Sequence, residues 1–99
     1  MTLGEKQRKF AKMVGELILH IYFMGYEVTL GDAWAKTGHK DNSNHYIRLA
    51  IDLNLFKDGV YLTEGYHHNP FHDFWDSIGG GKRIPEDLNH YALEHNGVL

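Results

Sequence analysis

The alternation in Ala50-Ile51-Asp52-Leu53-Asn54-Leu55 constrains this chain more than any other stretch. Apolar and polar residues exchange places at nearly every step, the period of a half-buried β-strand. Ile51, Leu53 and Leu55 therefore face a core while Ala50, Asp52 and Asn54 share the open side. A carboxylate held on the open side of a rigid element is well placed to bind a ligand. His45 stands seven residues upstream of Asp52. On one continuous strand that odd spacing would put the two side chains on opposite faces, and on one straight helix they would lie two turns, or about 10 Å, apart. Neither arrangement closes around one ion. His45 is therefore expected in the turn that leads into the strand, from which its imidazole can swing back over the carboxylate.

The same residues carry a family likeness. Ser43-x-His45-x-x-x-x-Ala50-x-Asp52-Leu53 resembles the first half of the signature of the zinc D-Ala-D-Ala and L-alanyl-D-glutamate peptidases, SxHxxGxAxDL. Asp87-Leu88-Asn89-His90-Tyr91 resembles that family's second element, Asp/Glu-x-x-His-aromatic. The segments Ile51 to Phe56 and Tyr91 to Gly97 are similar to small phage endolysin peptidases of the group. The resemblance implies one zinc ion held by His45, Asp52 and His90, with Asp87 as the catalytic carboxylate and Ser43 orienting substrate or a ligand. It implies as substrate the peptidoglycan stem peptide, most of all its L-Ala-D-Glu bond. A D-Ala-D-Ala carboxypeptidase and a noncatalytic, zinc-stabilised wall-binding module stand as alternatives.

Two positions depart from the family pattern. Where relatives carry a substrate-binding arginine in a segment resembling Glu-Ala-Tyr-Arg-Thr, this chain reads Asp32-Ala33-Trp34-Ala35-Lys36-Thr37, so Ala35 replaces the arginine and Lys36 is the nearest cation. An ammonium gives a point charge there, without the bidentate grip of a guanidinium. Arg48 occupies the place of the signature glycine, so the turn must accept a Cβ; phage-type members resemble this chain in being basic there.

The remaining elements follow from period and punctuation. Thr2-Leu3-Gly4-Glu5 reads as a capping box opening a long helix whose apolar face is Phe10, Met13, Val14, Leu17, Ile18 and Ile21, stopped at Gly25. Tyr26 to Leu30 reads as a strand entering the same sheet. Asp58-Gly59 between two strand-like runs predicts a tight hairpin. Thr63 to Asn69 is expected to be loop, with His67-His68 a solvated pair. Asn69-Pro70 should cap and begin a short helix carrying Phe71, Phe74, Trp75 and Ile78, with His72 and Asp73 on its outer side. Gly79-Gly80-Gly81 has no Walker lysine-serine after it and reads as a mobile lip of the site. His90 to Leu93 should form the last strand. The sum is one α+β domain over 1–99: a small antiparallel sheet carrying the zinc site, packed by a long N-terminal helix and a short second one.

Composition narrows the function classes. With 99 residues and no cysteine, disulfides and thiolate ligands are excluded, so any zinc must be held by nitrogen and oxygen. A formal charge of −3, with eight histidines counted neutral and the basic residues thinly spread, argues against a nucleic-acid surface. No run reaches the roughly 18 apolar residues of a membrane helix, and the basic N-terminus is followed by Glu16 and His20 rather than a cleavage site. The expectation is a monomer made in the host cytoplasm that acts on the cell wall after another protein opens the membrane.

Overall fold

The computed structural model describes residues 1–40 and 42–99. Helix α1, Leu3–Phe23, begins with the capping box: Thr2 Oγ1 accepts from Glu5 N at 3.1 Å and Glu5 Oε1 from Thr2 N at 3.0 Å. It ends at Met24, and Gly25 follows with φ 87°, a left-handed value that favours glycine. Its buried stripe is Phe10, Met13, Val14, Leu17 and Ile21, with Ile18 at the edge.

The sheet is built on β2, Ala50–Lys57. Strand β1, Glu27–Leu30, pairs antiparallel with its later half, Leu30 opposite Leu53 and Glu27 opposite Phe56. Strand β3, Val60–Tyr61, returns through Asp58 (φ 51°) and Gly59 (φ 77°), the pair of positive φ values a two-residue hairpin turn requires. Strand β4, His90–Ala92, pairs antiparallel with the first three residues of β2. Ile51, Leu53 and Leu55 are buried in one cluster with the apolar face of α1, as the alternation predicts, while Ala50, expected on the open side, is buried as well.

Helix α2, Asn69–Ser77, closes the core with Phe71 and Trp75. Trp75 is fully buried, edge-on to Phe10 at 5.8 Å, and its Nε1–H donates to the Ala92 carbonyl at 3.0 Å, which ties α2 to β4. The chain enters α2 from a 3-10 turn, Gly65–His68, rather than from open loop, and His68 rather than Asn69 holds the N-cap position. His68 and His72 are the larger correction, because both rings are buried, 3% and 0% exposed, where a solvated position was expected. Each is satisfied by a specific partner: His68 Nδ1 meets Tyr91 Oη at 2.8 Å, and His72 Nε2 meets the Leu88 carbonyl at 2.7 Å. His72 also stacks on Tyr91 at 4.2 Å. Asp73 does lie outside, paired with Arg83 at 2.7 Å.

The triple glycine is corrected as well. Gly80 N–H donates to Trp75 O and Gly81 N–H to Ala92 O, both at 2.8 Å, and a Cβ on Gly80 would fall 2.1 Å from the indole. Gly80 and Gly81 pack flat on Trp75 and the end of β4, Gly79 takes a left-handed φ of 97°, and none of the three lines the cleft that holds the histidines.

Candidate metal centre

Strand pairing brings two of the three expected ligands together. Asp52 and His90 are direct cross-strand partners in the antiparallel β2–β4 pair, so their side chains rise from the same face. His45 comes from a 3-10 turn, Asn44–Ile47, just before β2. Ser43 caps that turn, its Oγ accepting from His45 N at 3.2 Å, so the expected contribution of Ser43 to the site includes holding the His45 backbone. Arg48 ends the turn with φ 59° and ψ 38°, in the left-handed region. The conformation that a glycine adopts freely is therefore kept with an arginine, whose guanidinium lies 4.6 Å over the Trp34 ring.

His45 Nε2 lies 3.3 Å and His90 Nδ1 3.4 Å from the same oxygen, Asp52 Oδ1. The three ligand atoms lie within 4.8 Å of one another and can hold a metal ion. Their surroundings fit that use: both imidazoles are buried, and Asp52 Oδ1 is sealed from solvent without an aligned hydrogen-bond donor. Two imidazole nitrogens and one carboxylate oxygen that converge without a well-aligned hydrogen bond suit a shared cation. Burial pushes the Asp52 carboxyl up, but the His45 and His90 imidazoles beside it outweigh that and hold it well below the usual carboxylate range. The oxygen therefore stays anionic and ready to ligate.

Asp87 stands on the rim. Its Oδ2 is 4.0 Å from His90 Nδ1 and its side chain is 53% exposed, so it faces the centre without joining it. The segment that carries it is fixed by Asp87 N to Ile84 O at 2.9 Å, His90 N to Asp87 O at 3.1 Å, and the His72 bond to Leu88 O. Glu86 does not line the cleft and borders a second hollow. The cleft, about 330 Å³, is lined by His39, Lys40, Ser43, Ile84 and Leu99 besides the four acid and imidazole groups.

Lys36 is not brought there: its ammonium sits 5.5 Å over Trp34, while Lys40 lines the cleft. Position 35 does lie at the edge, since Ala35 N–H donates to the His45 carbonyl at 3.2 Å. His39 is the wall residue that the sequence does not flag. Its ring stacks on His45 at 4.2 Å, its Nε2 pairs with Asp32 Oδ2 at 3.0 Å, and its backbone N–H and carbonyl are both bonded by Tyr46 Oη. No periodicity or spacing singles out a histidine inside a polar loop, and its role exists only once the loop folds over His45. No family model, curated protein or solved structure matches this chain, so its functional reading rests on the geometry of the centre and on the motif resemblance.

Proposed function

We propose that this chain is a zinc-dependent peptidoglycan peptidase of the phage endolysin kind, hydrolysing an amide bond of the cell-wall stem peptide, first among them L-Ala-D-Glu. One observation supports the reading above the others: a His45, Asp52 and His90 triad within 4.8 Å, with the half-exposed carboxylate of Asp87 beside it in an open cleft. Two imidazoles and one carboxylate leave a coordination position open, the pattern of catalytic rather than structural zinc. Zinc bound there supplies a positive charge that polarises the scissile carbonyl and acidifies a water.

The chain's own residues do the rest. Asp87 takes a proton from a water in the cleft as that water's oxygen adds to the amide carbon, and returns it to the leaving nitrogen when the carbon–nitrogen bond breaks. Ser43 holds the His45 turn, and Lys40, rather than Lys36, brings positive charge to the cleft wall. The chain acts on the wall as a monomer once another protein has opened the membrane; no described helix is long and apolar enough to cross one.

Mass spectrometry of purified peptidoglycan digested by the zinc-loaded protein tests the reading. Fragments with a new D-Glu amino terminus are expected, and release of free D-Ala alone would replace the reading with a carboxypeptidase. A noncatalytic wall-binding module has its own support, since no arginine is among the described residues that line the cleft. Protein that binds wall, holds zinc and releases nothing would establish that module instead.

A further inference from the structure

Asp87 borders two hollows. Beyond the metal cleft, a second one of about 270 Å³ is lined by Leu53, Leu62, Thr63, Gly65, Leu88 and Asn89, among others, with Glu86 and Asp87 at its acidic side and His68 in its lining. His68 is 3% exposed, yet its two ring nitrogens differ in circumstance. Nδ1 is bonded to Tyr91 Oη at 2.8 Å, whereas Nε2 has no protein partner among the described residues and is not sealed off.

The Tyr91 bond decides where the imidazole proton sits. Tyr91 is fully buried, and a phenol carries its proton near neutral pH, so the hydroxyl hydrogen needs an acceptor inside the protein. His68 Nδ1 is the acceptor that hydroxyl has among the described residues. If Nδ1 carried a hydrogen instead, the buried hydroxyl hydrogen would be left unpaired, an arrangement that folded proteins avoid. Nδ1 therefore accepts and Nε2 carries the hydrogen. Burial, with His72 and His67 nearby, also lowers the His68 pKa to about 4, so the ring is neutral near pH 7.

A neutral N–H donor thus remains available to the hollow next to the cleft, beside two carboxylates. The carboxylates repel an anionic partner, and a neutral donor gives no electrostatic grip on one, so the fitting partner is an uncharged carbonyl oxygen. We propose that this hollow is a second subsite for an extended peptide, which runs from the metal cleft past Asp87 and places a backbone carbonyl on His68 Nε2–H. The proposal rests on the peptidase reading above and adds to it a length requirement: the substrate must extend beyond the bond that is cut.

The test compares two substrates of the zinc-loaded protein that share the L-Ala-D-Glu bond: a disaccharide-pentapeptide wall fragment and N-acetyl-L-Ala-D-Glu. His68→Phe is made together with Tyr91→Phe and compared with Tyr91→Phe alone, so that the donor is removed while no buried hydroxyl is left without its acceptor. The KM for the long fragment is expected to rise about ten-fold, the upper range for one neutral hydrogen bond, with kcat within about two-fold and the short substrate unaffected. Equal losses on both substrates would show that His68 serves only the fold and would overturn the subsite, as would no change on either. Should the double variant not fold, long-range 1H–15N spectra of the wild-type protein decide. They are expected to show the Nε2–H tautomer at pH 7 and a shift of that nitrogen on adding the long fragment; the other tautomer, or no shift, overturns the proposal. Wild-type protein that cleaves neither substrate refutes the peptidase reading itself, and the subsite falls with it.

Discussion

Gly80→Ala tests whether the triple glycine is a packed joint. An alanine Cβ at position 80 would lie 2.1, 2.2 and 2.4 Å from Cδ1, Nε1 and Cγ of Trp75, against an ordinary contact of 3.4 Å or more. The indole has nowhere to go: it is fully buried, edge-on to Phe10 and Tyr91, and bonded through Nε1 to the Ala92 carbonyl. Either the ring shifts and breaks that bond, or the turn lifts and loses Gly80 N to Trp75 O and Gly81 N to Ala92 O. Overpacking of this kind costs about 1–3 kcal/mol, and each lost hydrogen bond about 0.5–1.5 kcal/mol, so the loss should be roughly 3 kcal/mol. For a domain of this size that is a fall in Tm of roughly 12–24 °C. Gly15→Ala is the matched control, because Gly15 lies within α1 with nothing within 4 Å of a new Cβ. It should stabilise by about 0.5–1 kcal/mol, the helix-interior difference between the two residues. Urea unfolding followed by circular dichroism measures both. A Gly80→Ala protein within about 0.5 kcal/mol of wild type would refute the packing argument and return the glycines to the role of a mobile lip.

Three further outcomes are expected. Zinc at about 100 times its Kd should stabilise the wild type by about 2.7 kcal/mol, and His45→Ala, Asp52→Ala or His90→Ala should abolish that gain while His67→Ala keeps it; a thermal-shift series in which all three variants still respond would remove the assigned ligands. Asp87→Asn should lower kcat by about 10²–10⁴-fold with zinc content unchanged, and Glu86→Gln should cost little; the assignment fails if Glu86→Gln is the deeper loss or Asp87→Asn sheds its metal. In chelator, stability should fall with acid between pH 6.5 and about 4. Burial holds His68 neutral down to about 4 and lowers His72 in the same direction, so the unfolded chain binds protons first. The His68 share is on the order of 2 kcal/mol, and urea midpoints that stay flat across this range would refute it.

The sequence makes legible whatever depends on local period. The β2 alternation, the Thr2–Glu5 box and the Asp58–Gly59 turn each specify their own geometry, and the placement of His45 before the strand follows from the parity of its spacing to Asp52. What it hides is pairing at a distance. His72 lies three residues before Trp75, on the flank of the buried face, and could have been suspected there; its burial depends on the Leu88 carbonyl arriving from the other side of the core. His68 is buried because Tyr91 offers it a hydroxyl, and His39 joins the site because its loop folds over His45. Lys36 is drawn off by the aromatic ring of Trp34, two residues back.

The opposition of Asp52 and His90 across the β2–β4 pair has a kinetic side. Strand β3 returns to β2 through a tight turn, β1 meets it with Leu30 opposite Leu53, and β4 meets it with Asp52 opposite His90, the longest closure of the three and the one expected to cost the most chain entropy. An ion on the triad clasps this last strand to the middle one. It would leave the rate of docking nearly untouched and retard undocking, so amide exchange in His90, Tyr91 and Ala92 should slow with metal far more than exchange in β1. The same contact that assembles the centre would then set how long the closed chain persists.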